Sequence, residues 1–345
     1  MGDRMAPKSV LLPVSDPPRR GSGGDGLEFK GSAMSKRGAY AALSYMTCAV
    51  FLVMFNKAAL SSYNFPSANV ITLFQMIIST CILYAMKRWK IISFTVVEPW
   101  TASDTASLVP LKTLLHTLPL SSAYFFYMLA SMESVRGVNV PMYTTLRRTT
   151  VVFTMIVECL LTGQKYSSSV VGSVALIVFG AFVAGAWDLS FDAYGYSIVF
   201  IANIATAIYL ATIARVGKSS GLNSFGLMWC NGLVCGPIFF FWTFIWGDLK
   251  LTMNFPHLYS PGFQAVMLLS CIMAFFLNYS IFLNTTLNSA VTQTICGNLK
   301  DFFTVGFGWL VFGGLPFDLL NVIGQGLGFV GSGLYAYCKL KGSSH

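Results

Sequence analysis

Apolar residues run in long blocks along this chain, separated by short polar connections. Ten blocks approach the roughly 17–25 residues that a helix needs to cross a bilayer. They lie at 39–60, 67–86, 113–132, 138–161, 168–187, 194–214, 224–246, 262–283, 289–312 and 318–338. Lipid offers no partner to an unpaired backbone group, so blocks of this length are predicted as helices rather than open sheet. The predicted fold is an all-α membrane protein of ten transmembrane helices. Its helical domain covers 36–341, with one half at 39–187 and the other at 194–338. Residues 1–35, rich in Gly, Pro, Ser and charge, are expected to be a disordered tail, and 342–345 a short C-terminal one. The first tail lacks the apolar stretch of a cleaved signal peptide, so the first helix is expected to serve as the targeting signal.

Composition sharpens this picture. Of 345 residues, 55% are hydrophobic and only 10% are charged, against about 25% charged in soluble domains. The eight cysteines all fall inside predicted helices, without a C-x-x-C pair, and read as small buried hydrophobes rather than disulfides or metal ligands. His116, His257 and His345 are scattered. No metal site and no cofactor is expected. The net charge of +9 does not signal nucleic acid, because the cations sort by side of the membrane. With a cytosolic N-terminus, sixteen of the 22 lysines and arginines fall in cytosolic segments. The opposite face holds only Arg136 and Lys250, beside Glu133, Asp188, Asp192, Asp248 and Asp318. This asymmetry supports an even helix count with both termini cytosolic.

Four cations remain within the spans: Lys57, Arg147, Arg148 and Lys300. A charge at mid-bilayer costs about 2.5–3.5 kcal/mol on insertion scales and usually faces a partner or a watery cavity. Lys300 follows Gly297 and Asn298, a small residue for close approach and an amide for hydrogen bonding. Phosphate oxygens bind both Lys and Arg through charge-assisted hydrogen bonds, so a pyrophosphate ligand would explain the set. Arg147 and Arg148 point about 100° apart on a helix, so one is expected to face ligand and the other a carboxylate or carbonyls. Lys300 and Asp301 diverge likewise, leaving Asp301 to partner a cation on another helix. Lys57 reads either as a cation on the transport path or as a snorkelling side chain. Thr145-Leu-Arg-Arg148 and Asn298-Leu-Lys-Asp301 lie about 153 residues apart in the two halves. Each is followed by a glycine-bearing helix. Two halves of five helices have opposite topology, the inverted-repeat plan with a binding site between the halves. Gly324-x-x-x-Gly328 is expected to be a close helix contact.

Thr145-Leu-Arg-Arg-Thr-Thr-Val-Val-Phe-Thr-Met-Ile-Val-Glu158 resembles the helix-4 signature of nucleotide-sugar transporters in the drug/metabolite transporter superfamily. Asn288-Ser-Ala-Val-Thr-Gln-Thr-Ile-Cys-Gly-Asn-Leu-Lys300 resembles their helix-9 signature, and Phe55-Asn-Lys57 and Val311-Phe-Gly-Gly314 fit as well. The resemblance implies ten helices, residence in the Golgi or ER membrane, and exchange of a cytosolic nucleotide sugar for a lumenal nucleoside monophosphate. It admits a homodimer. The GDP-mannose branch carries F-Y-N-N and G-A-L-N-K, where this chain has Met228-Trp-Cys-Asn231 and Gly297-Asn-Leu-Lys300. The pattern looks more like the UDP-sugar branch, with UDP-N-acetylglucosamine or UDP-N-acetylgalactosamine the expected cargo and UMP the counter-substrate. On that reading Lys300 takes the phosphates, and Gly297 and Asn298 shape the sugar end. Asn231, Asn278 and Gln293 offer polar contacts to base or ribose, Tyr143 an aromatic wall, and Lys57 and Arg147 further cations. Two alternatives stand beside this reading, the first within transport and the second of another class. One is a triose-phosphate-like exchanger of organic phosphates. The other is a membrane-embedded enzyme, which would need an acid/base pair or metal cluster. Only Glu158 and Asp301 are acidic within the spans, and no histidine accompanies them.

Overall fold

The computed structural model describes residues 34–95, 109–136, 140–185, 193–312 and 319–341. Residues 1–33 of the expected tail at 1–35, the tail at 342–345, and Gly313 and Gly314 lie outside these residues. The described chain is helical: α1 (Lys36–Lys57), α2 (Ala68–Arg88), α3 (Leu111–His116), α4 (Leu118–Arg136), α5 (Val140–Arg148), α6 (Thr150–Thr162), α7 (Ser168–Gly185), α8 (Ala193–Ser219), α9 (Ser224–Ile245), α10 (Asp248–Met253), α11 (Pro261–Leu287), α12 (Ala290–Phe312) and α13 (Leu319–Lys341). A helix, or a pair broken by one residue, overlies each of the ten apolar blocks. Six are long and apolar enough to cross a membrane, namely α1 with the π-helical turn after it, α2, α7, α8, α9 and α11. The others are interrupted or more polar along their length. Among the described residues, β-pairing is limited to one bridge, between Thr95 and Leu222.

Local chemistry marks the ends. Ser35 and Ser67 accept hydrogen bonds from the Gly38 and Val70 N–H groups, capping α1 and α2. Asn223 caps α9 through the Gly226 N–H at 2.9 Å. Gly163, at φ 69°, takes the left-handed conformation that ends α6. Large apolar side chains lie outside as well as in the core, and polar ones are buried. Leu160, Phe182, Phe241 and Ile245 are exposed on the outside, while Gln75, Arg148, Glu158, Asn203 and Asn231 are buried within. This is a multi-pass membrane protein.

The helices pack in a regular scheme. α1 lies against α11 and α12, as α8 lies against α4 and α6, and α2 contacts α9 and α11. α7 pairs with α13 along a seam of glycines. A Cβ at Gly180 would fall 2.6 Å from the Gly324 carbonyl oxygen, and one at Gly331 would fall 2.8 Å from the Ile177 side chain. Small residues let backbones meet where lipid supplies no hydrophobic drive. The expected close contact at Gly324 and Gly328 is thus found, and its partner is α7. The Met34 N–H donates to the Lys339 carbonyl at 3.4 Å, which puts the start of α1 and the end of α13 at one face of the bundle.

Near that face lies an apolar cluster that includes Leu83, Leu210, Met228, Trp229, Phe275 and Phe282. The strand-like segment after α2 clasps it from outside. Asn223 donates its amide to the Ser93 carbonyl at 2.7 Å, and Phe94 stacks on Trp229 at 5.4 Å.

Gly324→Leu should separate α7 from α13, because the side chain must enter space held by the backbone of Gly180 and Ala184. Overpacking of this kind costs about 1–3 kcal/mol. A lower melting temperature in detergent than for a leucine at lipid-facing Val330 checks it.

Candidate functional site

The fourth apolar block is two helices rather than one. α5 ends at Arg148 and α6 restarts at Thr150, with Thr149 between them. The side chains of this stretch satisfy the backbone that the break would leave bare. The Thr149 hydroxyl donates to the Leu146 carbonyl at 2.7 Å, and the Thr150 hydroxyl donates to the Arg147 carbonyl. Asn203 of α8 completes the repair, its amide donating to the Leu146 carbonyl at 2.9 Å while its oxygen accepts from the Thr150 hydroxyl at 2.8 Å. Irregular backbone at membrane depth is tolerated where protein or a wet cavity surrounds it.

The break sends two adjacent arginines apart. Arg148 is buried and reaches α13, donating to the Gln325 side-chain oxygen at 3.2 Å and its carbonyl at 3.4 Å. Arg147 turns to the centre, where Nη1 donates to Thr206 Oγ1 at 2.8 Å, Asn203 Oδ1 at 3.3 Å and the Ala202 carbonyl at 3.4 Å. All three acceptors are neutral.

Arg147 borders a central cavity of about 450 Å³, within the range of small-molecule sites. Of the nine residues singled out in the sequence, Tyr143, Arg147, Asn231, Asn278, Gln293, Gly297, Asn298 and Lys300 all line it. Lys57 does not; it is exposed at the end of α1. Its neighbour Asn56 points inward instead. Asn56 Oδ1 accepts from Gln75 at 2.9 Å and from Ser270 at 2.6 Å, tying α1 to α2 and α11.

Lys300 differs from expectation in one respect. Asp301 makes its ion pair with its own neighbour, its Oδ1 lying 2.7 Å from Lys300 Nζ. The lysine stem is long enough to arc around the helix, which overcomes the 100° between neighbouring Cβ atoms. Both side chains remain partly exposed, 22% and 29%, and both line the cavity.

Several cavity residues were not singled out in the sequence. Tyr45, Tyr124, Tyr127 and Tyr209 add aromatic walls, with Tyr127 and Tyr209 parallel at 5.3 Å. The i, i+3 spacing of Tyr124 and Tyr127 was their legible signal. Ser79 is buried at the wall with no protein partner for its hydroxyl.

Glu158, weighed in the sequence as an acid, is structural. Its oxygens accept from the Ala290 and Val291 N–H groups, each at 3.0 Å, and so cap the start of α12. The Tyr166 hydroxyl donates to the same carboxylate at 2.7 Å. Burial, and then this carboxylate, hold the Tyr166 phenol well above its usual pKa, so it stays a donor. Among the described residues no group of His, Cys, Asp and Glu could hold a metal ion.

A helical membrane bundle with a polar, cation-bearing cavity at its centre fits the transport of an anionic solute. Comparison with known proteins is more specific. The chain belongs to the Triose-phosphate Transporter family, whose pattern matches residues 35–336. It is 69% identical over 338 residues to the UDP-N-acetylglucosamine transporter UGNT1 of Arabidopsis thaliana, covering 96% of this chain and 98% of that one. It is 33% identical to the UDP-sugar transporter sqv-7 of Caenorhabditis elegans, covering 88% of this chain and 90% of that one. A crystal structure shares the fold with a TM-score of 0.59 at 10% identity, over 88% of this chain and 98% of the other. The relatives are transporters, and the protein is a transporter rather than an enzyme.

Glu158→Ala should cost several kcal/mol, because it leaves two N–H groups and a phenol buried without partners, at about 1–3 kcal/mol each. Glu158→Gln, which keeps the acceptor oxygen, should recover part of that. Thermal melts of the two purified variants against wild type check the order.

Proposed function

We propose that this protein moves a UDP-sugar, UDP-N-acetylglucosamine or UDP-N-acetylgalactosamine, from the cytosol into the Golgi lumen in exchange for UMP. The observation that carries this reading is that Arg147 and Lys300, far apart in the sequence, border one cavity. Two cations suit a dianionic pyrophosphate, and they suit the phosphate of UMP equally. Lys300 and Arg147 bind phosphate oxygens, while Gly297 and Asn298 shape the sugar end. Asn231, Asn278 and Gln293 contact the uracil and ribose, beside the wall of Tyr143. The identity to the Arabidopsis protein favours the N-acetylglucosamine form.

The architecture we infer is ten spans in two inverted five-helix repeats. The packing scheme supports it: shifting each long helix by five positions turns the α1–α11 pair into α8–α4 and the α1–α12 pair into α8–α6. The same shift leaves α2–α9 and α7–α13 as self-related pairs. Ends meeting at one face agree with an even number of crossings and cytosolic termini. The halves rock about the cavity to expose it alternately. Enzymatic chemistry is disfavoured by the acids themselves, since Asp301 is paired to Lys300 and Glu158 caps α12.

Purified protein in vesicles preloaded with UMP should take up labelled UDP-N-acetylglucosamine, and empty vesicles or vesicles holding GMP should take up less. Preferential uptake of a triose phosphate would instead establish the organic-phosphate reading. Lys300→Ala should abolish exchange while the protein still reaches its membrane, and Arg147→Gln should raise KM about 10- to 100-fold, the scale of a lost charged hydrogen bond. Full activity of the Lys300 variant would overturn the assignment.

A further inference from the structure

The two cations of the cavity are held in opposite ways. Arg147 rests on three neutral acceptors, whereas Lys300 is already paired with a carboxylate at 2.7 Å. A buried ion pair that served only the fold would be shielded from water. This one lies in the wall where ligand enters, with both partners partly exposed.

We propose that Asp301 is a built-in competitor for the ligand's phosphate, occupying Lys300 while the cavity is empty and giving it up when nucleotide binds. This rests on the phosphate-binding reading of the cavity. Two anions on one ammonium repel each other, so a phosphate that takes Lys300 displaces the carboxylate. Asp301 is exposed enough to be hydrated when it leaves, so the exchange strands no dry charge. Binding is then a swap of one anion for another rather than capture by a bare cation. The swap weakens affinity and speeds release, and an exchanger must release its cargo on every cycle. It also keeps the empty cavity at one net positive charge instead of two, which lowers the cost of carrying it through the membrane. Asp301 acts here through Lys300, as a positioning residue.

The test is Asp301→Asn, close in shape but without the charge. KM for UDP-N-acetylglucosamine and Kd for UMP should each fall about tenfold. Maximal exchange rate should fall with them, because release slows. Asp301→Glu should return both toward wild type. A purely structural role would lower stability or raise KM instead. An unchanged or higher KM in Asp301→Asn protein that melts like wild type would overturn the proposal. If that variant does not fold, Asp301→Ser carries the same expectation, read as UMP binding by thermal shift. Wild-type protein that takes up no nucleotide sugar would sink the functional reading itself. Active wild type with no change in the variant's affinity would sink this inference alone.

Discussion

A charge in hydrocarbon must be held by protein, and the fold is arranged around that requirement. Glu158 sits against the start of α12, Arg148 against Gln325 of α13, and Lys300 against Asp301. The first two contacts fix a helix end or a helix pair as well as a charge. Both reach between halves of the chain: Glu158 belongs to α6 and holds α12, and Arg148 closes α5 and holds α13. Removing either partner would strand a polar group where no water replaces it, so these links bear on stability far more than a surface pair would. Arg147 stands apart, because neutral groups position it without cancelling it.

The broken helix explains how two neighbouring arginines come to do different work. A continuous helix would place both on adjacent faces at one depth. Thr149 interrupts it, and Asn203 takes up the carbonyl that the interruption frees. One side chain then anchors the scaffold and the other borders the cavity. α12 is unbroken through Lys300, and there the division is made between neighbours of opposite sign.

What the sequence disclosed follows from how local each signal is. Apolar blocks near spanning length stand out along the chain, and a helix or a pair broken by one residue overlies each. The cations inside those blocks were conspicuous for their cost, which is why Arg147 and Lys300 could be picked out. Rotation about a helix axis is another matter. Lys57 and Asn56 differ by one residue, and only packing shows that Asn56 faces Gln75 and Ser270 while Lys57 is exposed. The Lys300–Asp301 pair was misjudged for a related reason: ideal Cβ directions say they diverge, but a four-carbon stem bends back. Tyr127 and Tyr209 come from different helices, and no spacing along the chain reveals their stacking. The break at Thr149 was hidden in a segment whose apolar pattern continues through it.

The glycine seam between α7 and α13 has a thermal consequence. Glycine has no rotamers to lose, so forming this contact carries almost no side-chain entropy penalty. Such a penalty grows in proportion to absolute temperature wherever long side chains are ordered, as in the apolar cluster of Leu83, Met228 and Phe282. Warming therefore loosens that cluster in preference to the seam, so the α7–α13 pair is the part of the bundle whose packing changes least with temperature.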